Sequence, residues 1–247
     1  MKRLDLIGVE GLPEVNPGDD LAELIRTKVE LLAGDVVVVA QKVVSKSEGR
    51  IRHLVDVTAS GEAVRLASHL IAQPDPRVVQ VVLDESVRLV RSERVLITET
   101  RHGYVCANGG VDHSNVPGSD VVTLLPDDPD ASAERLRSRL HEMTGIEVGV
   151  IVSDTFGRPW RIGIVNVALG VAGLPAVMDL RGRIDDAGKE LHATVLALAD
   201  EVAAAAGLVM GKTRRTPVVV VRGLELEVER SGRGRDLIRP AAEDLFR

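Results

Sequence analysis

The chain of 247 residues has few aromatic side chains: two Phe, one Tyr and one Trp. Its core must therefore be aliphatic, and the 45% apolar content is carried chiefly by Val, Leu, Ala and Ile, as in many alternating α/β proteins. A single cysteine, Cys106, excludes an internal disulfide framework and a cysteine-rich zinc site. There is no long apolar run free of charge, which excludes a transmembrane helix. The amino terminus, Met1-Lys-Arg-Leu-Asp5, lacks the apolar stretch and small-residue cleavage site of a signal peptide. Positive charge is not in excess either. A formal net charge of −6 argues against a general nucleic-acid binder, which would carry a basic face. No internal repeat, low-complexity segment or long linker interrupts the chain. These absences leave a soluble, cytoplasmic, globular protein with no nucleic-acid or membrane partner, long enough for one sizeable core or two small packed lobes.

What is present alternates between strand and helix patterns. Pro17-Gly-Asp-Asp20 reads as a turn and helix cap, with Leu21, Leu24, Ile25 and Val29 following at helical spacing. Gly34-Asp35 stops that helix, and residues 36–40 form a fully apolar run of buried-strand type. Residues 61–72 and 76–91 are expected to be helical, and 95–98, 104–107 and 120–125 to be strands. The acidic turn at 126–130 is the best seam between two lobes, and it leads into an amphipathic helix to about residue 143. Residues 148–153 read as a buried strand with Asp154 at its carboxyl end, the edge where open α/β sheets bind ligands. Beyond it, 164–173 is expected to be helical, 176–180 a strand, 190–206 an alanine-rich helix and 217–221 a last strand.

Two segments carry the chemistry. Gly109-Gly-Val-Asp-His-Ser-Asn115 and Val152-Ser-Asp-Thr-Phe-Gly-Arg158 each set an aspartate in a turn-forming context beside small hydroxyl or amide groups. If the fold joins them, Asp112, Asp154 and the Thr155 hydroxyl make an oxygen-only cluster. Hard divalent cations such as magnesium or manganese prefer such ligands, most often when they also carry phosphate. Each aspartate alone is equally at home as a turn residue or a helix N-cap. Gln41-Lys-Val-Val-Ser-Lys-Ser-Glu-Gly-Arg50 follows a buried strand directly and reads as a strand-end loop. It offers Ser45 and Lys46 as partners for phosphate oxygens. Asn115 suits a ribose, phosphate or base contact. Arg158 and Arg161, flanking Trp160, could clamp an anion or form a salt-bridged rim.

Other features carry less. Gly207-Leu-Val-Met-Gly-Lys-Thr213 is one residue short of a P-loop and stands between a helix and a strand in the wrong order, so a helix C-cap followed by a basic loop is the better reading. Cys106 belongs to a small-residue strand and reads as core. His102 and His113 have no partner at metal-ligand spacing.

The longer strings are familiar. Residues 99–116 and Val152-Ser-Asp-Thr-Phe-Gly-Arg-Pro-Trp-Arg161 closely resemble the coenzyme F-420:L-glutamate ligase family. So do Gly11-Leu-Pro-Glu14, Val43-Val-Ser-Lys46 and Ala199-Asp-Glu-Val-Ala-Ala-Ala-Ala206, in order and from about residue 5 to the end. The resemblance implies one ligase domain over 1–247, with a mixed α/β (α+β) fold. Mixed sheets and packed helices would form two intimately packed lobes, in an intertwined homodimer with the nucleotide site near its interface. It implies that GTP phosphorylates the terminal carboxylate of a deazaflavin coenzyme precursor, that the amine of L-glutamate displaces the phosphate, and that further γ-linked glutamates can follow. It assigns the first Mg2+ or Mn2+ to Asp112 and Asp154 and a second to Thr155. It assigns the nucleotide to Leu12, Pro13, Glu14, Val15, Gln41, Lys46 and Asn115, and it associates K+ with activity. One departure is visible. Many members carry an acidic loop where this chain reads Met210-Gly-Lys-Thr-Arg-Arg-Thr216, so an acidic metal ligand is missing and Lys212 is expected to meet nucleotide phosphate instead. Relatives with such a loop are often fused to a carboxyl-terminal flavin-binding reductase-like domain, and the chain is expected to be either the first half of such a fusion or a free-standing ligase.

Overall fold

The densest runs of β-branched residues, Val36–Ala40 and Val218–Arg222, lack the polar alternation of a half-exposed strand and are stable only with both faces covered. They form the middle of a five-stranded sheet in the computed structural model of the protein, which describes residues 2–112, 120–225 and 231–244. In chain order the strands are β1 (Asp5–Gly8), β2 (Val36–Ala40), β8 (Gly149–Arg158), β9 (Arg161–Ala172) and β12 (Val218–Arg222), laid side by side as β1-β12-β2-β8-β9. Only β2 and β8 run parallel; the other neighbours are antiparallel.

Helices cover both faces. On one, α1 (Leu21–Arg26) and α5 (Pro129–Thr144) pack Ile25, Ala133, Leu136 and Leu140 against Val37, Val39, Val150 and Val152. On the other, α6 (Leu198–Met210) packs Ala199, Val202, Ala203 and Ala206 against Val36, Val38, Ile151 and Val219. Alternate residues of one strand thus fall into two cores, the two-residue period of β structure. Asp20 and Asp128 cap α1 and α5 by accepting hydrogen bonds from the backbone N–H groups of Ala22 and Ala131.

After α2 (Gln41–Ser47) the chain leaves this sheet and builds a second lobe. There β3 (Ile51–His53) pairs with β7 (Val121–Thr123), and β4 (Ser86–Arg91), β5 (Ile97–Thr100) and β6 (Val105–Ala107) form a three-stranded sheet. Helices α3 (Gly61–His69) and α4 (Pro76–Asp84) close its own core around Leu66, Val79, Val82, Leu96 and Val122. Tyr104, Cys106 and Leu125 meet Leu169 of β9 in a small cluster joining the lobes. The short strands β10 (Met178–Asp179) and β11 (Val195–Leu196) pair with each other. No helix among the described residues is long and apolar enough to cross a membrane.

The mixed α/β class is as the sequence led us to expect, but several local expectations change. Residues 41–50 open with helix α2 rather than a loop. The helix expected over 76–91 ends at Asp84, and Ser86–Arg91 is a strand, because its apolar residues satisfy a two-residue period as well as a helical one. Residues 164–173 belong to β9: the β-branched Ile164, Val165 and Val167 outweigh the helix formers Ala168 and Leu169 once β8 is available for pairing. The alanine-rich helix starts at Leu198, not near 190. Finally, β8 does not stop before Asp154 but continues to Arg158 and turns into β9 as a long hairpin.

Candidate functional site

The topology gathers one end of every central strand at a single edge. β2 ends at Ala40 opposite Ser153, so Asp154 and Thr155 are the first β8 residues to run past their parallel neighbour. The loop after β1, the start of β12 and the carboxyl end of α6 lie at the same edge. Together they enclose a cleft of about 730 Å3, within the range usual for small-molecule sites.

The cleft brings together most of the residues singled out from sequence. Leu12, Pro13, Glu14 and Val15 line it from the loop after β1, Gln41 and Lys46 from α2, and Asp112, Asp154 and Thr155 from the two aspartate segments. Asn115 lies outside the described residues, as does His113. Ser45 is elsewhere: α2 turns it into the interior, where its hydroxyl accepts a 2.6 Å hydrogen bond from Gln41 Nε2. The same amide nitrogen also donates to Leu124 O at 2.9 Å, which fixes Gln41 in the cleft wall. Arg158 and Arg161 sit at the exposed end of the β8–β9 hairpin and not in the cleft lining, which removes them as clamps within this chain's own site. Cys106 is buried, and burial pushes its thiol up to about 12, so it is core, not nucleophile.

Asp112 is held by its backbone, which exchanges hydrogen bonds of 3.0 and 2.9 Å with Thr123 of β7. Its carboxylate meets Lys42 Nζ at 2.8 Å. Asp154 is half-buried beside it. Burial pushes the Asp154 carboxyl up from its ordinary value and the charge of Asp112 adds to the push, while the Thr155 backbone N–H, Lys212 and Lys42 oppose it. Lys212 Nζ donates to the Thr155 hydroxyl, which in turn donates to Asn166 Oδ1 at 3.3 Å. Lys46 Nζ pairs with Glu14, and Arg215 approaches the same carboxylate at 4.0 Å.

Four cationic side chains (Lys42, Lys46, Lys212 and Arg215) thus face three carboxylates (Glu14, Asp112 and Asp154) in the described lining. In a chain of net charge −6 this is a local reversal of sign, suited to a ligand of several negative charges. The sequence reading missed Lys42 and Asn166. Lys42 lies one helical turn before Lys46, a signal visible only once 41–47 is taken as a helix. Asn166 faces Thr155 across the hairpin, a pairing that a helix over 164–173 would not make.

The family model described as F420-0:Gamma-glutamyl ligase matches residues 11–223, a span that reaches across both lobes and includes every described residue of the cleft lining. The chain is similar over its full length to the coenzyme F420:L-glutamate ligase of Methanopyrus kandleri, at 47% identity with all of both chains covered. It is 46% identical to the protein of that name from Methanothermobacter thermautotrophicus, covering 99% of each. A third, from Archaeoglobus fulgidus, is 45% identical over 99% of this chain and 97% of the relative.

Proposed function

The chain belongs to the F420-0:gamma-glutamyl ligase family, and from this premise we propose that it uses GTP to join L-glutamate to the terminal carboxylate of a deazaflavin coenzyme precursor. The observation that carries the proposal is the cleft in which Asp112, Asp154 and Thr155 stand among Lys42, Lys46 and Lys212.

A carboxylate has no leaving group until it is phosphorylated. In the proposed reaction its oxygen attacks the γ-phosphorus and GDP departs. The glutamate amine then attacks the carbonyl carbon, losing a proton as phosphate leaves with the C–O bond electrons. Further γ-linked additions would repeat the cycle. The protein's part is to position the reactants and offset charge, with no covalent step of its own.

The donor set suits a hard divalent cation. Two carboxylates and a hydroxyl, all oxygen, line one cleft, and ammonium groups already stand against Asp112 and Thr155 where positive charge is favoured. Among the described residues no three carboxylate, histidine or cysteine side chains are grouped to hold a metal, and Glu14, the third carboxylate of the lining, is paired with Lys46, so phosphate oxygens and water would complete the shell. Asp112 and Asp154 would hold one Mg2+ or Mn2+ and Thr155 a second. When bound, such ions offset the charge of the transferring phosphoryl group. Leu12, Pro13, Glu14 and Val15 would border the nucleotide with Gln41 and Asn115, and Lys46 would exchange Glu14 for a phosphate oxygen. K+ belongs to the same proposal, without a residue assigned to it.

The deciding experiment is phosphate release from GTP with divalent metal, L-glutamate and the deazaflavin precursor, omitting one component at a time. Release that needs all of them, with product heavier by one glutamate residue, supports the ligase; tight GTP binding without release refutes it. For Lys46→Ala, loss of a charge-assisted phosphate contact should raise KM for GTP about 10- to 100-fold, with a smaller change in kcat. An unchanged KM for GTP would remove Lys46 from the nucleotide site.

The proposal includes a homodimer. Its support is the β8–β9 hairpin, whose Trp160 and Ile162 are 81% and 100% exposed, next to Ile164 at the cleft. Sedimentation equilibrium should give the mass of two chains, and a monomer at micromolar concentration would contradict it.

A further inference from the structure

The geometry points to Asn166 as the residue that positions the Thr155 hydroxyl as a pure acceptor facing the cleft. A threonine hydroxyl has one hydrogen and two lone pairs. Here the hydrogen goes to Asn166 Oδ1 at 3.3 Å, and Lys212 Nζ donates to the same hydroxyl oxygen from the cleft side. Without that acceptor the hydroxyl could turn its hydrogen towards whatever cation occupies the cleft. With it, an oxygen lone pair is presented in advance.

Three features fix Asn166 in this role. It pairs directly with Thr155 across the hairpin, so the two side chains share a face of the sheet. Its amide nitrogen lies 3.5 Å from Met210 Sδ, a weak acceptor, which sets the amide with its oxygen towards Thr155. Behind it stands Gly207 of α6, where a Cβ would come within 3.0 Å of Asn166 Cγ. The missing side chain at Gly207 makes the space that the amide fills. Ammonium and divalent cation would then be alternative occupants of one prepared oxygen: Lys212 when the cleft is free, the phosphate-borne cation when GTP is bound. This inference rests on the proposal that Thr155 serves a cation, and its test separates the two.

The measurement is Mn2+ affinity, read by electron paramagnetic resonance of free Mn2+ in the presence of a non-hydrolysable GTP analogue, with thermal melting to establish folding. Thr155→Ala tests the parent proposal and should weaken Mn2+ about tenfold. Asn166→Leu should weaken it about tenfold as well, the usual scale for a group that orients a metal ligand. The double variant should be no worse than either single one, because both remove the same interaction. Asn166→Asp, which keeps an acceptor, should stay within about threefold of the parent. Gly207→Ala adds no polar change and should weaken Mn2+ by displacing the amide, which covers the case in which Asn166→Leu does not fold. If Thr155→Ala weakens Mn2+ while Asn166→Leu and Gly207→Ala do not, or if the Thr155 and Asn166 losses add, the positioning role is overturned and the parent proposal stands. If Thr155→Ala itself leaves Mn2+ affinity intact, the parent proposal falls and this inference with it.

Discussion

Asp154→Asn is expected to abolish glutamate ligation while leaving the fold intact. The substitution keeps the size and one oxygen of the side chain but removes the charge that Asp154 contributes between Lys42 and Lys212. For a preorganised charge at a phosphoryl-transfer centre the loss is on the order of 10³ in kcat/KM, or about 4 kcal/mol of transition-state stabilisation. Phosphate release and product mass read it directly. Turnover within tenfold of the parent would remove Asp154 from the reacting centre.

The same substitution should act in the opposite sense on stability. Burial, the leading cause, holds the Asp154 carboxyl above its ordinary value, so the ligand-free fold binds a proton that the unfolded chain has already released. For a raised acid the sign is fixed. Its contribution is full below the unfolded value and is lost as pH rises through the folded one. At neutral pH ionising Asp154 is therefore less favourable in the ligand-free fold than in the unfolded chain, a cost that Asn lacks. Asp154→Asn should melt higher than the parent at pH 7 without ligand, and the gap should close as pH falls into the ordinary carboxylate range. A variant that is both inactive and less stable at pH 7 would point to collapse of the cleft instead of a lost charge.

The legibility of this site in the sequence follows from what each signal depends on. Asp112, Asp154, Glu14 and Lys46 stand in short strings whose composition is unusual wherever the chain runs, and all four line the cleft. The strands expected at 36–40 and 217–221 are equally plain, since a run of valines has one stable setting in a two-sided sheet, and they form at 36–40 and 218–222. Ser45 is misread from sequence because a serine next to Lys46 in a polar string looks exposed until the helix that carries it is known; α2 then rotates it inward beneath Gln41. The β8–β9 hairpin was hidden for a different reason. Residues 164–173 mix β-branched and helix-forming residues, and the pairing that decides between them lies in residues 150–158. Asn166 and its contact with Thr155 became visible only through that pairing. Lys42 and Asp112 are likewise brought together by a bridge between Asp112 and Thr123 that no local pattern announces.

Gly170→Ala is expected to cause a large loss of stability. A Cβ on Gly170 would lie 1.9 Å from Pro129 O and 2.3 Å from Pro129 C, so α5 would have to lift from β9 as backbone, not by a side-chain adjustment. That first turn of α5 is also where Asp130 Oδ1 accepts the backbone N–H groups of Val171 at 2.9 Å and Gly234 at 2.6 Å. Lifting the turn therefore breaks one of the ties that hold the 231–244 segment to the sheet, beside the bond from Gly232 N–H to Leu174 O. Forced overpacking of this kind costs about 3 kcal/mol or more, which corresponds to roughly 6–12 °C in the melting midpoint of a protein of this size. Gly157 is the control. It lies in the β8 half of the hairpin, and a Cβ there would meet nothing within 4 Å. Gly157→Ala should leave the midpoint unchanged or raise it slightly, because it only narrows the unfolded ensemble. The two variants differ by the same single methyl on adjacent strands of one hairpin. A loss confined to Gly170→Ala would assign the cost to the contact with α5, and equal losses would assign it to the strands themselves.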